Sequence, residues 1–213
     1  MNITTSFAAS TRPFPYHVVP NFLGNDWVER LLAYTIEHQS AFVASGLGYG
    51  AIARIDPCVR VSSILRDFGA LRAELAPLFR AAMPQAVSEL RLSPFEPASC
   101  EIELVAHGDG AFFKRHIDTI TQADDPDIKT QRVLTGVYYF HSMPKHFSGG
   151  QLRMHALVPQ EQGGSFIDIE PECDQLVLFP AWAPHEVLPV SCPSQAFEHA
   201  RFAINCWYRR LRP

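Results

Sequence analysis

Residues 112–118 read Phe-Phe-Lys-Arg-His-Ile-Asp, and the fold can be built outward from this segment. The segment is typical of a β-strand, in which side chains two residues apart point to the same face. His116 and Asp118 are therefore expected side by side, where an imidazole nitrogen and a carboxylate oxygen can fill two adjacent positions on a divalent metal ion. An exposed strand edge with two polar side chains would look the same, so the metal interpretation needs a third ligand.

The third ligand is expected from the carboxyl-terminal part of the chain. Pro-His-Glu-Val at residues 184–187 follows an apolar run at 176–179, and Arg-Phe-Ala-Ile-Asn-Cys-Trp-Tyr at 201–208 closes the core. His185 is the candidate third ligand. Two histidines and one carboxylate are the set with which non-haem Fe(II) oxygenases hold iron while leaving coordination positions open.

The order of the motifs along the chain carries a family resemblance. His-x-Asp, Tyr-Tyr, Gly-Gly-x-Leu, His and Arg follow one another as in the 2-oxoglutarate- and Fe(II)-dependent dioxygenases of the prolyl 4-hydroxylase type. The chain is especially similar to the prolyl hydroxylases that act on hypoxia-inducible transcription factors. The resemblance implies Fe(II), 2-oxoglutarate and O2, with ascorbate as a further candidate, and hydroxylation of an unactivated C–H bond with release of succinate and CO2. The matching segments lie at 132–139, 149–153, 168–171, 184–187 and 201–208.

The strand pattern predicts a mainly β fold with flanking α: a double-stranded β-helix, or jelly roll, of eight strands in two packed sheets. Helices are expected after an N-cap at Asn25 and at 68–79, where they would brace one outer face of a sheet. We expect a single oxygenase domain over 1–213, with helical support in 1–98 and the jelly-roll catalytic core in 99–210. The predicted strands are 101–106, 112–118, 133–141, 151–157, 165–169, 175–179, 185–190 and 199–208.

The 2-oxoglutarate site is expected around Arg201. A buried carboxylate needs a permanent cation, and a guanidinium offers a bidentate fork that matches it. Parity along the last strand places Asn205 on the same face as Arg201. By resemblance, Tyr139 would donate its hydroxyl to the same carboxylate. His107 stands where the family usually carries a tyrosine, and it is either a further cofactor contact or a polar residue at a strand end.

The spacing around this anchor departs from the family pattern. Arg201 follows His185 by 16 positions, which is longer than the usual interval. The additional residues, 191–199, are rich in turn formers and predict an enlarged hairpin loop that leaves the strand register intact. Arg209 and Arg210 are rival anchors by charge, but they lack the sequence match that follows Arg201.

The substrate side is less clearly marked. By resemblance, Arg132, Phe113 and Trp207 line a peptide or proline pocket, although each is equally consistent with core packing. The polar loop at 119–131 occupies the place of a segment that folds over a peptide in the resembled enzymes. Glu103 is expected on the inner face, where a buried acid would instead suit the amino group of a small substrate.

Three functions are therefore compared. The first is an Fe(II)- and 2-oxoglutarate-dependent hydroxylase of a prolyl residue in a protein or peptide. The second keeps the cofactors but acts on a free amino acid or a natural-product intermediate. The third is a non-catalytic jelly-roll binding or sensing module, which an intact ligand set with its anchor argues against.

Composition excludes several other classes. The net charge is -4, with 18 Lys+Arg against 22 Asp+Glu and no sustained basic stretch, which argues against nucleic acid as a partner. No segment is apolar enough to span a bilayer, and the amino-terminal residues do not resemble a secretory signal. The cysteines are odd in number and widely spaced, which favours a reducing cytoplasm. The substrate is expected to be a protein, a peptide or an amino acid, and the oligomeric state is not indicated.

Overall fold

Two antiparallel sheets face each other in the computed structural model, which describes residues 11, 13–47, 54–119 and 129–212. The larger sheet has the strand order β1-β11-β7-β14-β5-β4-β2, and the smaller has the order β10-β9-β12-β6-β3. Strands β8 and β13 form a separate pair. The strands are β1 His17–Pro20, β2 Val43–Ala44, β3 Arg60–Val61, β4 Ser63–Leu65, β5 Ser99–His107, β6 Phe112–His116, β7 Thr130–Phe140, β8 Ser148–Gly149, β9 Leu152–His155, β10 Phe166–Ile169, β11 Gln175–Pro180, β12 His185–Val187, β13 Val190–Ser191 and β14 Arg201–Leu211.

The predicted jelly roll, mainly β with flanking helices, is confirmed. Each predicted strand segment overlaps one of β5, β6, β7, β9, β10, β11, β12 and β14, with bounds that differ by a few residues. One difference affects the site. Strand β6 ends at His116, and the backbone N–H of Asp118 donates instead to the carbonyl of Ala181 at 2.8 Å. The prediction that His116 and Asp118 lie in one strand is therefore wrong, because the strand ends at His116 and the chain bends at Asp118.

Strand β14 organises the larger sheet, because it pairs along its length with β5 on one side and β7 on the other. Its side chains alternate between two environments. Phe202, Ile204 and Tyr208 pack into the apolar core beneath the helices, whereas Ala203 packs between the two sheets. The inner face of β14 therefore looks into the space where the two sheets meet.

Helix α1, Asn25–Glu37, packs on the outer face of the larger sheet. The predicted N-cap is wrong: the helix begins at Asn25 and the cap position is Gly24, without a side-chain cap. The connection is held by Asp174 instead. Its carboxylate accepts the N–H groups of Leu23 and Gly24 at 2.8 and 2.9 Å, and the hydroxyl of Tyr138 at 2.9 Å. A long-range contact thus replaces the local cap.

Helix α2, Gly69–Glu89, is longer than the predicted segment because its apolar face continues. Phe79, Met83 and Val87 are all buried against the sheet. An interior proline costs about 3 kcal/mol or more, yet Pro77 and Pro84 both lie inside the helix. Burial of a large apolar side chain contributes about 1.5–3 kcal/mol, so several such side chains offset this cost. None of the helices in the described residues is long and apolar enough to cross a membrane.

Candidate active site

Three side chains converge in the space between the two sheets. His116 ends β6, Asp118 follows it, and His185 begins β12 directly opposite His116 in the strand register. The Nε2 atom of His116 lies 3.7 Å from Oδ1 of Asp118, and Nε2 of His185 lies 3.6 Å from Oδ2. Donor atoms of all three residues lie within 4.8 Å of one another. This grouping can hold one divalent metal ion through two imidazoles and one carboxylate.

Hydrogen bonds orient these side chains for metal binding. Nδ1 of His116 lies 2.7 Å from the carbonyl oxygen of Lys114, and Nδ1 of His185 lies 2.9 Å from that of Ala183. A carbonyl oxygen can only accept, so each Nδ1 carries the proton and each Nε2 keeps its lone pair for the metal. Thr135 donates its hydroxyl to Oδ2 of Asp118 at 2.8 Å. The imidazole tautomers and the carboxylate orientation are therefore fixed by the protein.

The protonation states also suit a metal ligand set. Burial lowers the pKa of His116 to about 3, and the neighbouring His185 contributes in the same direction. Burial would raise the pKa of Asp118, but the histidines beside it hold it at about 2. At neutral pH His116 is neutral and Asp118 is ionised, which are the forms that bind a metal ion.

A cavity of about 380 Å³ connects these three residues to Arg201. Arg201 is only 1% exposed, and its guanidinium carbon lies 4.7 Å from the ring centre of Tyr139. In the described part of the chain, Nε and Nη2 of Arg201 and the hydroxyl of Tyr139 have no hydrogen-bond partner. A buried charge without a counter-ion is costly. The site therefore fits an anionic ligand that reaches Arg201 through the cavity.

His107 lies beside this anchor and is neutral. It is directly opposite Arg201 in the strand register, and its Nδ1 accepts a hydrogen bond from Nη1 of Arg201 at 3.2 Å. Burial holds the pKa of His107 well below its usual range, and the charge of Arg201 lowers it further. Because Nδ1 accepts, the proton of the neutral ring is on Nε2. Of the two roles considered for His107, its position favours contact with the cofactor.

Gly150 makes room for the arginine side chain. It has a φ of 70°, and a Cβ atom there would lie 2.6 Å from Cδ of Arg201. The second glycine of the Gly-Gly-x-Leu motif is thus required by close packing against the anchor. Asn205, also predicted, lines the cavity between Arg201 and Trp207 along β14. These features fit a small dicarboxylate that spans from Arg201 to the three metal-binding side chains.

The rival anchor Arg209 already has an acidic partner. Its Nη1 lies 3.0 Å from a carboxylate oxygen of Glu101, and its Nε donates to the hydroxyl of Thr130 at 2.8 Å. Residues 191–199 start at the last residue of β13 and end in a 3-10 turn at Phe197–His199, and Arg201 lies opposite His107 in the register of β14 with β5. The arrangement favours Arg201 over Arg209 as the anchor.

The residues predicted for the substrate also line the cavity. The ring of Phe113 stacks on His116 with centres 3.5 Å apart, and the guanidinium carbon of Arg132 lies 3.7 Å from the ring centre of Trp207. Trp207 Nε1 and Arg132 Nε lack hydrogen-bond partners in the described residues. Glu103 is buried, and it accepts a hydrogen bond from Nε of Arg66 at 2.9 Å. Most of the predicted 119–131 loop, namely 120–128, lies outside the described residues.

Sequence reasoning missed three residues of the site. Thr135 lies four residues before Tyr139 on β7, so strand parity could have placed it on the inner face. Gly150 was noted only as part of a motif. Arg60 lines the cavity from β3. No local signal identified it, because its position depends on the pairing of β3 with β6.

Comparisons with known proteins agree with this geometry. A cyanobacterial protein from Synechocystis, described as an uncharacterized PKHD-type hydroxylase, is 30% identical over 202 residues, or 93% of this chain. The chain spans 64% of the length of that relative. The crystal structure of a Pseudomonas putida prolyl-4-hydroxylase is similar in fold, with a TM-score of 0.65 and 24% identity, covering 92% of this chain and 93% of that chain.

A second solved structure is a Trichoplax adhaerens prolyl hydroxylase in complex with a peptide from the oxygen degradation domain of hypoxia-inducible factor. It has a TM-score of 0.62 and 25% identity, covering 91% of this chain and 82% of that chain. Residues 102–209 match the 2OG-Fe(II) oxygenase superfamily, and this stretch contains Arg201 and the three side chains that could hold a metal ion. The chain therefore belongs to the 2OG-Fe(II) oxygenase superfamily.

Proposed function

We propose that this chain is an Fe(II)- and 2-oxoglutarate-dependent dioxygenase that hydroxylates a prolyl residue in a protein or peptide. The proposal rests on the buried cation of Arg201. Its Nε and Nη2 donors have no partner among the described residues, and the side chain shares one cavity with His116, Asp118 and His185. An anion bound at Arg201 would thus be held next to the metal. Family membership makes 2-oxoglutarate the anion of choice.

The residues that line the cavity would bind the metal ion and 2-oxoglutarate. His116, Asp118 and His185 would hold Fe(II), and Arg201 with Tyr139 would bind the far carboxylate of 2-oxoglutarate. His107 and Asn205 would add hydrogen bonds to the same molecule. Bound together at these residues, Fe(II) and 2-oxoglutarate would supply the O2 activation needed to hydroxylate a C–H bond, with release of succinate and CO2. The buried walls of the cavity limit access of water to the site.

A peptide substrate fits the charges of the cavity better than a free amino acid. A free amino acid would need an acid for its amino group, but Glu103 is already paired with Arg66. Arg132 instead offers an Nε–H donor that has no partner in the described residues, which suits a carbonyl oxygen of a peptide. We propose a prolyl residue as the target because solved structures of similar fold are prolyl hydroxylases. A non-catalytic module is disfavoured, since it would need neither the three metal-binding side chains nor the anchor.

The remaining proposals concern the whole protein. We infer that residues 1–213 form a single oxygenase domain, with the catalytic core in 99–210. All of its cysteines are free thiols, which suits the proposed cytoplasmic location. Its partner is the protein or peptide substrate, and ascorbate is a candidate reductant.

The proposal is tested with purified protein, Fe(II) and 2-oxoglutarate. Succinate is measured with and without proteins, proline-containing peptides or free amino acids, and the products are examined by mass spectrometry for the gain of one oxygen atom. Asp118→Ala is the matched variant, since it removes only the carboxylate of the metal site. We expect succinate and an oxygenated prolyl residue from the wild type alone. Failure of the wild type to bind Fe(II) and 2-oxoglutarate would contradict the proposal.

A further inference from the structure

We propose that Arg60 forms a second carboxylate-binding subsite, and that the substrate carries an acidic group within about two residues of the residue that is hydroxylated. The acid is either an aspartate or glutamate side chain or a terminal carboxylate. This inference rests on the proposed function, since it describes the substrate of the same site.

Arg60 lies close to the metal-binding side chains. It is directly opposite Phe113 in the pairing of β3 with β6, so both side chains point to the same face of the smaller sheet. The guanidinium carbon lies 4.8 Å from the ring centre of Phe113, and that ring stacks on His116 at 3.5 Å. A group bound by Arg60 is therefore separated from the metal ligand by one aromatic ring.

The two terminal nitrogens of the Arg60 guanidinium are suitably arranged to bind a carboxylate. Nε of Arg60 donates to the hydroxyl of Ser62 at 2.9 Å, and that hydroxyl bonds to the buried Ser45 at 2.8 Å. Its two terminal nitrogens have no hydrogen-bond or ion-pair partner in the described parts of the chain. Burial lowers the pKa of Arg60, and the more distant carboxylates of Glu103 and Asp118 do not offset this fully. Two parallel N–H donors match a bidentate carboxylate.

Arg66 and Arg132, which also line the cavity, differ from Arg60 because each has an acidic partner. Nε of Arg66 lies 2.9 Å from Glu103, and Nη2 of Arg132 lies 2.9 Å from Glu101. Neither of these pairs leaves an acid for Arg60. No carboxylate of the described residues forms an ion pair with Arg60, so a bound ligand can supply its counter-ion.

The cofactors do not supply that counter-ion. The charges of Fe(II), Asp118, dianionic 2-oxoglutarate and Arg201 sum to zero, so the filled cofactor site is neutral. Arg60 therefore remains a positive charge at the cavity of a chain whose net charge is -4. The cavity thus carries a positive charge on a chain that is negative overall, and this charge favours an acidic substrate.

The experiment compares the binding of capped peptides with a central proline whose flanking residues are all Glu, all Gln or all Lys. A further peptide with Gln flanks and a free carboxyl terminus separates a terminal carboxylate from a side-chain one. Binding to the full chain is measured by fluorescence anisotropy, and it requires no turnover. The test variants are Arg60→Gln, Arg60→Glu and Arg60→Lys. The control variant is Arg72→Gln, which removes one positive charge from the exposed face of α2.

We expect the wild type and Arg72→Gln to bind a carboxylate-bearing peptide about tenfold more tightly than the capped Gln peptide. Arg60→Gln should abolish this preference, Arg60→Glu should shift it to the Lys peptide, and Arg60→Lys should retain part of it. Equal binding of all peptides by the wild type, or an acidic preference that persists in Arg60→Gln, would overturn the subsite. Absence of succinate formation would contradict the proposed function, while these binding comparisons would still decide the role of Arg60.

Discussion

Replacement of Arg201 by methionine should have opposite effects on the stability of the ligand-free protein and on 2-oxoglutarate binding. The buried guanidinium has two donor nitrogens without partners in the described residues, Nε and Nη2. Each unsatisfied buried donor costs about 1–3 kcal/mol. Arg201→Met removes these donors and keeps a side chain of similar length, so the free energy of unfolding should rise by about 1–3 kcal/mol. For a chain of this length, each kcal/mol corresponds to about 2–4 °C in Tm.

Binding of 2-oxoglutarate should weaken in the same variant. Removing one partner of a buried charge pair costs about 2–5 kcal/mol, which is roughly a 30- to 5,000-fold increase in Kd. At a 2-oxoglutarate concentration of 100 Kd, the wild type should gain about 2.7 kcal/mol of stability. At that concentration Arg201→Met should gain at most about 0.9 kcal/mol, and almost nothing if the Kd rises about 5,000-fold. Metal affinity should change little, because the proposed Fe(II) ligands are His116, Asp118 and His185.

Differential scanning fluorimetry with and without 2-oxoglutarate measures both effects, and calorimetric titration gives the Kd. Arg201→Lys is the informative control, since it keeps the charge but loses the bidentate fork, and it should bind with intermediate affinity. Arg209→Met should lose stability without this selective loss of binding, because Arg209 is paired with Glu101. The reasoning is refuted if Arg201→Met binds 2-oxoglutarate as the wild type does, or if Arg209→Met is the variant that fails to bind.

Further predictions concern the metal, the anchor and pH. His116→Ala, Asp118→Ala and His185→Ala should each abolish turnover but remain folded by circular dichroism; near-parental turnover in any of them would contradict the ligand set. Gly150→Ala should raise the KM for 2-oxoglutarate, since its Cβ would lie 2.6 Å from the anchor side chain. Stability should fall below pH 6.5, because His107 and His116 take up protons on unfolding; denaturant titrations at several pH values test this.

Much of the inner wall of the site could be predicted from strand parity. In β14, Arg201, Asn205 and Trp207 are separated by even numbers of residues, and all of them line the cavity. Glu103 and His107 follow the same rule on β5. A side-chain period of two is a local property of the strand, so a sequence carries it without knowledge of the partner strands.

The sequence predicted that Asp118 lies next to His116 and His185. It did not predict the contacts that hold Asp118 there. Parity assumed that β6 continued to Asp118, whereas the strand ends at His116. The position of Asp118 depends on a backbone hydrogen bond to Ala181 and on the hydroxyl of Thr135. Both contacts join segments that are distant in sequence, so no local pattern contains them.

Which arginines have an acidic partner also depends on contacts between residues distant in sequence. This pairing is what distinguishes Arg201 from Arg209 as the candidate anion-binding residue. Arg201 and Arg209 lie on the same strand and are both buried, so composition and burial do not separate them. Arg209 meets Glu101 across the sheet, whereas Arg201 meets a neutral imidazole and an aromatic ring. A paired buried arginine can be explained by the fold alone. Arg201 is also buried, but no carboxylate of the described residues pairs with it. An anionic ligand would offset the free-energy cost of burying its charge.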